Sequence, residues 1–463
     1  MAERPRLLFS AFNEYVLSHH DHGSWSLPGA RQLELNDVDY WVGLAKTLER
    51  GKFDFFFFAD VLAPYDRYQG SRDAAIRTGM QTPVNDPGEL IPILAYATEH
   101  LGFVLTQNIL QEHPYAFARK ITTLDHLSRG RIAWNIVTSF LGGAGRNLGL
   151  GGLPSHEDRY ARAEEFVEVA YRLWEASWED DAVVRDIERG VYADPAKVHD
   201  IAFSGEYYDV LGPHISEPSP QRTPVLFNAA ASDVGIAFAG RHAEVLFTSF
   251  ERLSAAESIR KLRASAAASG RRAEDVKIFA GFGFVLGSTE AEARRKYEAY
   301  VANQHIESIL VKHSAFWDDD LSRFDLGDSV QKLLESGEGS PTTRIVLGLA
   351  PDLSWSFERF LRWFANRQVV GTPEQIADEI EAWQDAGVDG LNITYTTLPE
   401  TYEGFVDHVR PLLVERGIQQ RDYGESPTVR GKVFGQPQLP DSHPARRSRD
   451  RVRGIPAISG GLR

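Results

Sequence analysis

The 463-residue sequence contains no cysteine and only two methionines. Without cysteine there is no disulfide, no thiolate metal site and no thiol nucleophile, and the composition fits a reducing compartment. No run of about 18 or more apolar residues occurs, so no transmembrane helix is expected. The start, MAERPRLLFSAFNEYV, lacks the apolar core of a secretory signal, and a cytoplasmic location is expected. No strand-like segment leads into G-x-G-x-x-G or a P-loop, so neither a nicotinamide nor a nucleoside triphosphate site is expected. No G-x-S-x-G elbow occurs either. Positive charge is in deficit, with a formal net charge of −15, which argues against nucleic acid or an anionic membrane as a partner.

The chain does have an ordinary globular composition, 43% hydrophobic and 25% charged, with enough length for a large core. Short β-rich apolar runs alternate with amphipathic helical stretches. Eight strands are predicted: Arg6–Phe12, Phe53–Asp60, Phe103–Ile109, Ile132–Ser139, Pro224–Ala230, Glu244–Phe250, Lys277–Val285 and Gly390–Thr396. FDFFFFAD and IAWNIVTS are nearly continuous in apolar residues, as parallel strands covered on both faces should be. Strand–helix alternation implies βαβ units, and eight strands imply an α/β fold of the (β/α)8 TIM-barrel type. An open doubly wound sheet is the rival. The barrel is expected to fill residues 1–417, interrupted by long insertions at about 179–222 and 304–370. Residues 418–463 form a C-terminal extension, whose Arg-rich part SHPARRSRDRVRG reads as a solvated or partner-contacting tail.

Active sites of such barrels lie at the strand C-termini. That rule selects Asp60 after the second strand, Thr106 and Asn108 in the third, Asn135, Thr138 and Ser139 in the fourth, and Ser232 after the fifth. Of these, only Asp60 is a strand-end acid in this reading, which leaves a two-carboxylate glycosidase weakly supported. Ser155-His156-Glu157-Asp158 reads as a capping box, placing His156 and Tyr160 on one face of a first helical turn. A helix start with an imidazole and a phenol beside it suits a phosphate, and Ser232 opens a second helix start. A plain helix cap with two packing aromatics is the alternative. Gly142-Gly143-Ala144-Gly145 is expected to be a mobile loop. His19, His20 and His22 cluster after the first strand; with no matching ligand elsewhere, lining a pocket is expected rather than a metal. Asp125-His126 is expected to order a helix end.

TLDHLSRGRIAWNIVTS closely resembles the signature of the bacterial-luciferase-like flavin monooxygenases. Within them the chain is similar to the group of nitrilotriacetate, dibenzothiophene-sulfone, long-chain-alkane and dimethylsulfide monooxygenases. LERGKFDFFFFAD, HEDRYARAEEFVEVAYRLWEASWEDD and GTPEQIADEIEAWQDAGVDGLNI resemble the same group. So does the segment from DPAKVHDIAF to PVLFNAAAS, and the likeness runs from about residue 6 to about residue 445. YDRYQGS and the VNDP at Val84–Pro87 look most like the dimethylsulfide branch. Two stretches depart from the pattern: QNILQEHPY after the third strand, and SAFWDDDL at Ser314–Leu321, where many relatives have a glycine-tryptophan-threonine-glycine run.

The resemblance implies the oxygenase component of a two-component system. It would take reduced FMN from a separate NAD(P)H-dependent flavin reductase and use molecular oxygen on a small organic substrate, with organosulfur compounds favoured. Carried over by motif, Asp60 and Thr106 would lie by the isoalloxazine, with Thr138 and Ser139 bordering it. His156, Tyr160 and Ser232 would hold the ribityl-phosphate end. His19 would face the substrate and is the catalytic candidate, and no metal is implied. A homodimer or homotetramer is the family habit. The alternatives are a deazaflavin-dependent oxidoreductase on the same barrel and a non-catalytic flavin-binding protein.

Overall fold

The computed structural model describes residues 5–453, apart from 231 and 249–251. Eight parallel strands close into a barrel: β1 (Leu8–Glu14), β2 (Phe55–Ala59), β3 (Gly102–Asn108), β4 (Ile132–Val137), β5 (Val225–Ala229), β6 (Val245–Thr248), β7 (Lys277–Leu286) and β8 (Gly390–Thr394). Each strand pairs with its neighbours in chain order. The ring closes where Leu8 of β1 stands opposite Gly390 of β8. The eight predicted strands are all present, and the open sheet is excluded. Ser249 and Phe250, placed at the end of the sixth strand from sequence, lie outside the described residues. A short extra strand, Val369–Gly371, continues the sheet along the end of β7.

Alternate residues of each strand point to opposite faces. One set fills the barrel interior: Phe12, Phe55, Phe57, Val104, Ala133, Phe227 and Phe279 among others. Phe12 stacks on Phe57 at 5.3 Å, and Phe55 meets Phe227 edge-on at 4.9 Å. The other set, including Phe56, Phe58 and Trp134, packs under the surrounding helices. Burying each such ring contributes about 1.5–3 kcal/mol, so the barrel core outweighs any surface contact.

The C-terminal extension closes the bottom of the barrel. Val429 and Phe434 pack against the interior cluster, and the Val429 N–H donates to the Gly130 carbonyl (2.9 Å). The fully buried Arg430 grips Glu244 through Nε (2.9 Å) and Nη2 (2.7 Å), and donates to the carbonyls of Thr223 and Pro224. Part of the Arg-rich tail is not solvated. It forms the helix Pro444–Arg453, with Arg446 and Arg449 both on the buried carboxylate of Glu175. Two of the charges that look like a solvent signal in sequence, Arg446 and Arg449, have acidic partners inside the chain.

Both insertions lie beside the barrel. The first carries two small hairpins, Val183–Asp186 with Val191–Ala193 and Phe203–Ser204 with Asp209–Val210. The second is helical and builds its own core with Tyr65 and Leu141. The glycine cluster departs from the predicted loop by forming a short helix, Gly142–Asn147. Glycine is needed there because a Cβ on Gly145 would fall 2.3 Å from the Gly152 carbonyl oxygen. Asp125 does order its helix end, accepting from Gln221 through both carboxylate oxygens (2.9 and 2.7 Å).

Candidate active site

At the C-terminal ends of the strands lies a cavity of about 620 Å³, within the size range of cofactor sites. Its lining includes His19, Asp60, Thr106, Thr138, Ser139, His156, Tyr160 and Ser232. The eight residues to which the resemblance gives a role, and Asn108 and Asn135 with them, therefore line one cavity.

Two helix starts form one wall. In α1 (His156–Tyr171), Ser155 caps the helix by accepting from the Asp158 N–H (3.1 Å). Only half of the predicted capping box forms, because the Asp158 carboxylate accepts from the Tyr207 hydroxyl instead (2.6 Å). In α2 (Asp233–His242), Ser232 caps by accepting from the Gly235 N–H (3.2 Å). The His156 Nε2 stands 3.3 Å from the Ser232 hydroxyl, and the Tyr160 hydroxyl faces the side chains of Ser232 and Thr138. A Cβ on Gly235 would come within 2.7 Å of the Tyr160 hydroxyl, so glycine lets the second helix start approach the first. Two sets of free N–H groups, two hydroxyls, a phenol and an imidazole thus converge. This is the chemistry of an anion cradle.

Arg159, on the next position of α1, was not foreseen. It is buried and reaches back to donate to the carbonyls of Thr138 and Ser139. Those bonds hold the turn after β4, where Ser139 sits at φ 69°, a conformation costly for a side-chain-bearing residue. The floor is aromatic and apolar, with Phe12, Phe57 and Phe247 beneath the opening. Within it Asn135 donates to the Thr106 hydroxyl (2.9 Å) and Asn228 to the Ile136 carbonyl (2.8 Å). The amide oxygens of both asparagines are buried and bond no protein atom among the described residues. Buried acceptors left in this state mark a place for a ligand with N–H groups.

Asp60 follows β2 directly. Burial first, then the neighbouring Asp86 and Glu14 carboxylates, push its pKa up to about 8. At neutral pH it is a neutral acid that can donate a hydrogen bond.

The wall around β1 was largely missed. That strand runs two residues beyond the predicted Phe12, which places Glu14 at a strand end inside the cavity. Asp60 is therefore not the only strand-end acid. His19 and His20 both line the cavity, with ring centroids 4.3 Å apart. Tyr65 and Phe316 complete this side; Phe316 lies on α3 (Ile306–Phe316), the first helix of the long insertion. No group of three or more His, Asp or Glu side chains among the described residues is arranged to hold a metal. A second cavity, about 740 Å³, opens outside the barrel beyond β7 and β8. Its Lys296 and Glu400 are paired with each other at 2.9 Å, and none of the sequence candidates reaches it.

Residues 15–390 match the family model for luciferase-like monooxygenases. The chain belongs to that family. The long-chain alkane monooxygenase of Geobacillus thermodenitrificans (strain NG80-2) is 40% identical over 96% of this chain and 98% of its own. The dimethyl-sulfide monooxygenase of Hyphomicrobium sulfonivorans is 39% identical over 98% of this chain and 96% of its own. The crystal structure of DmoA from Hyphomicrobium sulfonivorans superposes with a TM-score of 0.92 across 98% of both chains, at 38% identity. A riboflavin lyase solved with modified FMN and riboflavin superposes at 0.87, with 35% identity over 96% of this chain and 99% of its own. The protein is thus a flavin-dependent monooxygenase of the luciferase-like type, and its relatives divide between alkane and organosulfur substrates. No helix among the described residues is long and apolar enough to cross a membrane.

Proposed function

We propose that this protein is the oxygenase component of a two-component system. It takes reduced FMN from a separate NAD(P)H-dependent reductase and oxygenates a small organic substrate, with organosulfur compounds favoured. The observation that carries this reading is the paired helix start at His156 and Ser232, set beside an apolar aromatic chamber. The residues fit FMN by chemistry: an anion cradle at one end, orphaned amide oxygens of Asn135 and Asn228 for ring N–H groups, and flat aromatic surface between them.

On this reading His156, Tyr160 and Ser232 hold the phosphate and ribityl end. Asp60, Thr106, Thr138 and Ser139 border the ring system, with Asp60 donating a hydrogen bond at neutral pH. His19 lies on the substrate side. Bound reduced flavin supplies the oxygen activation; the protein orients it and keeps water out. Phe316, with Phe140 at 5.4 Å, places an aromatic pair at the cavity rim for that purpose. The Glu14 carboxyl in the lining of the substrate end suits a neutral sulfide better than a polycarboxylate. Arg159, the cation lining the cavity, is already engaged with the carbonyls of Thr138 and Ser139.

The test is oxygen uptake by the purified protein with FMN, NADH and a generic flavin reductase, adding dimethyl sulfide, a sulfone, an aminopolycarboxylate and an alkane in turn. Uptake coupled to an oxygenated organosulfur product is the expected result. Failure to bind reduced FMN would overturn the assignment and bring the deazaflavin alternative forward.

A further inference from the structure

Across the barrel from the phosphate cradle, two charged side chains stand behind the two imidazoles. Glu14, at the end of β1, has Oε1 3.1 Å from His19 Nδ1, a close contact whose geometry falls short of a hydrogen bond. Its other oxygen accepts from the Gln81 amide, whose own oxygen accepts from the Tyr65 hydroxyl (3.2 Å). Lys312, on α3, points its ammonium at the His19 carbonyl (3.2 Å) and at His20 Nδ1 (3.3 Å). Glu14 and Lys312 are both buried, a costly state for charges that do no more than fill space.

The donor and acceptor inventory of these groups decides where the ring protons sit. An ammonium has only hydrogens to offer, so a nitrogen facing it must be bare. The proton of a neutral His20 then sits on Nε2. Burial raises Glu14 to about 7; once ionised it has only lone pairs, so the nitrogen facing it carries hydrogen, and Nε2 of His19 is left bare. Neither Nε2 bonds another protein atom among the described residues, and both rings line the cavity. Burial, and next the Lys312 charge, hold both imidazoles well below the usual histidine range, so both are neutral. Lys312 itself is brought down to about 8 by burial, against the opposing pull of Glu14 and Asp21.

We propose that Glu14 and Lys312 are positioning residues that lock His19 and His20 into opposite tautomers, so that the substrate end of the cavity presents one acceptor and one donor side by side. Its use in catalysis rests on the monooxygenase reading above; the tautomers themselves do not. A proton leaving His20 Nε2 is replaced through Nδ1 from Lys312. A proton arriving at His19 Nε2 makes an imidazolium that the Glu14 carboxylate stabilises. One proton given and one taken leave the total on the cluster unchanged, which suits an oxygen transfer that needs both.

The experiment is nitrogen NMR of the whole protein with 15N-labelled histidine, at a pH between the Glu14 value of about 7 and the Lys312 value of about 8, resonances being assigned with H19Q and H20Q. His19 is expected as the Nδ1–H form and His20 as the Nε2–H form. Lys312→Met should abolish the His20 preference. Glu14→Leu should abolish that of His19, and Glu14→Gln, whose amide oxygen still accepts, should retain it. Both rings in one tautomer, either ring charged at neutral pH, or a pattern unmoved by Lys312→Met and Glu14→Leu would overturn the proposal. Should a variant fail to fold, the spectrum of the unaltered protein still decides. Titrating the same unaltered sample with reduced FMN separates the two claims: loss of flavin binding with the tautomers as stated would overturn the function and leave the positioning intact.

Discussion

Two buried charge clusters sit at opposite ends of one barrel, and they are finished differently. At the bottom, Arg430 and Glu244 share two hydrogen bonds, the remaining guanidinium hydrogens go to carbonyls, and Glu244 also accepts from the Leu226 N–H. At the top, Glu14, His19, His20 and Lys312 meet with long or bent contacts. Nearby, His22 Nδ1 and His313 Nε2 bond nothing among the described residues. A buried charge with every partner supplied holds a fold together; one with partners missing waits for something that is not protein. The same contrast separates the described part of the C-terminal extension, where Arg430 and Arg449 meet acidic partners, from the long insertion, which brings Lys312 and Phe316 to the cavity.

The comparison can be broken most sharply at the bottom. Arg430→Met should cost about 3–5 kcal/mol of stability, because it strands the Glu244 carboxylate. Denaturant unfolding should show it as a lower midpoint, with flavin affinity of the folded fraction unchanged. Pairing it with Glu244→Met should recover part of the loss, and an additive double mutant would refute the pair as a unit. At the top the expected pattern is reversed. His156→Ala should weaken reduced-FMN binding by about 1.5–3 kcal/mol, the scale of a hydrogen bond to a charged group, while the unfolding midpoint barely moves. Equilibrium titration beside thermal unfolding checks both halves.

A third contrast concerns pH. Asp60, raised to about 8 chiefly by burial, binds its proton more tightly folded than unfolded. Its contribution to stability is complete below the unfolded pKa near 4 and is lost as pH rises through 8. Glu14, raised to about 7, and Asp54, raised to about 6, act in the same sense. Asp60→Asn should therefore flatten, without abolishing, the fall in unfolding free energy between pH 4 and 8. An unaltered slope would mean that Asp60 is ionised in the folded protein.

The barrel was legible because parallel strands buried on both faces leave apolar runs that little else in a soluble chain produces. The paired helix starts were legible because helix starts have a local code: Ser155 and Ser232 cap where their residue type predicts. The other end has no local code. Asn13 and Glu14 are polar, so the first strand reads as finished at Phe12, although its backbone pairs on to Glu14 opposite Ala59. Lys312, in the run ILVKHSAF, reads as a surface lysine on an amphipathic helix. The packing of the insertion brings it against His19 and His20, and that contact joins segments far apart in sequence. The Arg-rich tail misled for the same reason: Glu175 and Asp180, which receive it, lie hundreds of residues earlier.

The floor of the barrel is delivered late. Val429, Arg430 and Phe434 leave the ribosome only after β8 has been made, so a nascent chain can hold all eight strands while its lower mouth is still open and Glu244 still unpaired. Folding along the growing chain is therefore expected to stall at an uncapped cylinder and to lock only as the final stretch is threaded beneath it. Synthesis arrested before residue 429 should leave a species that chaperones recognise, whereas arrest after 434 should not.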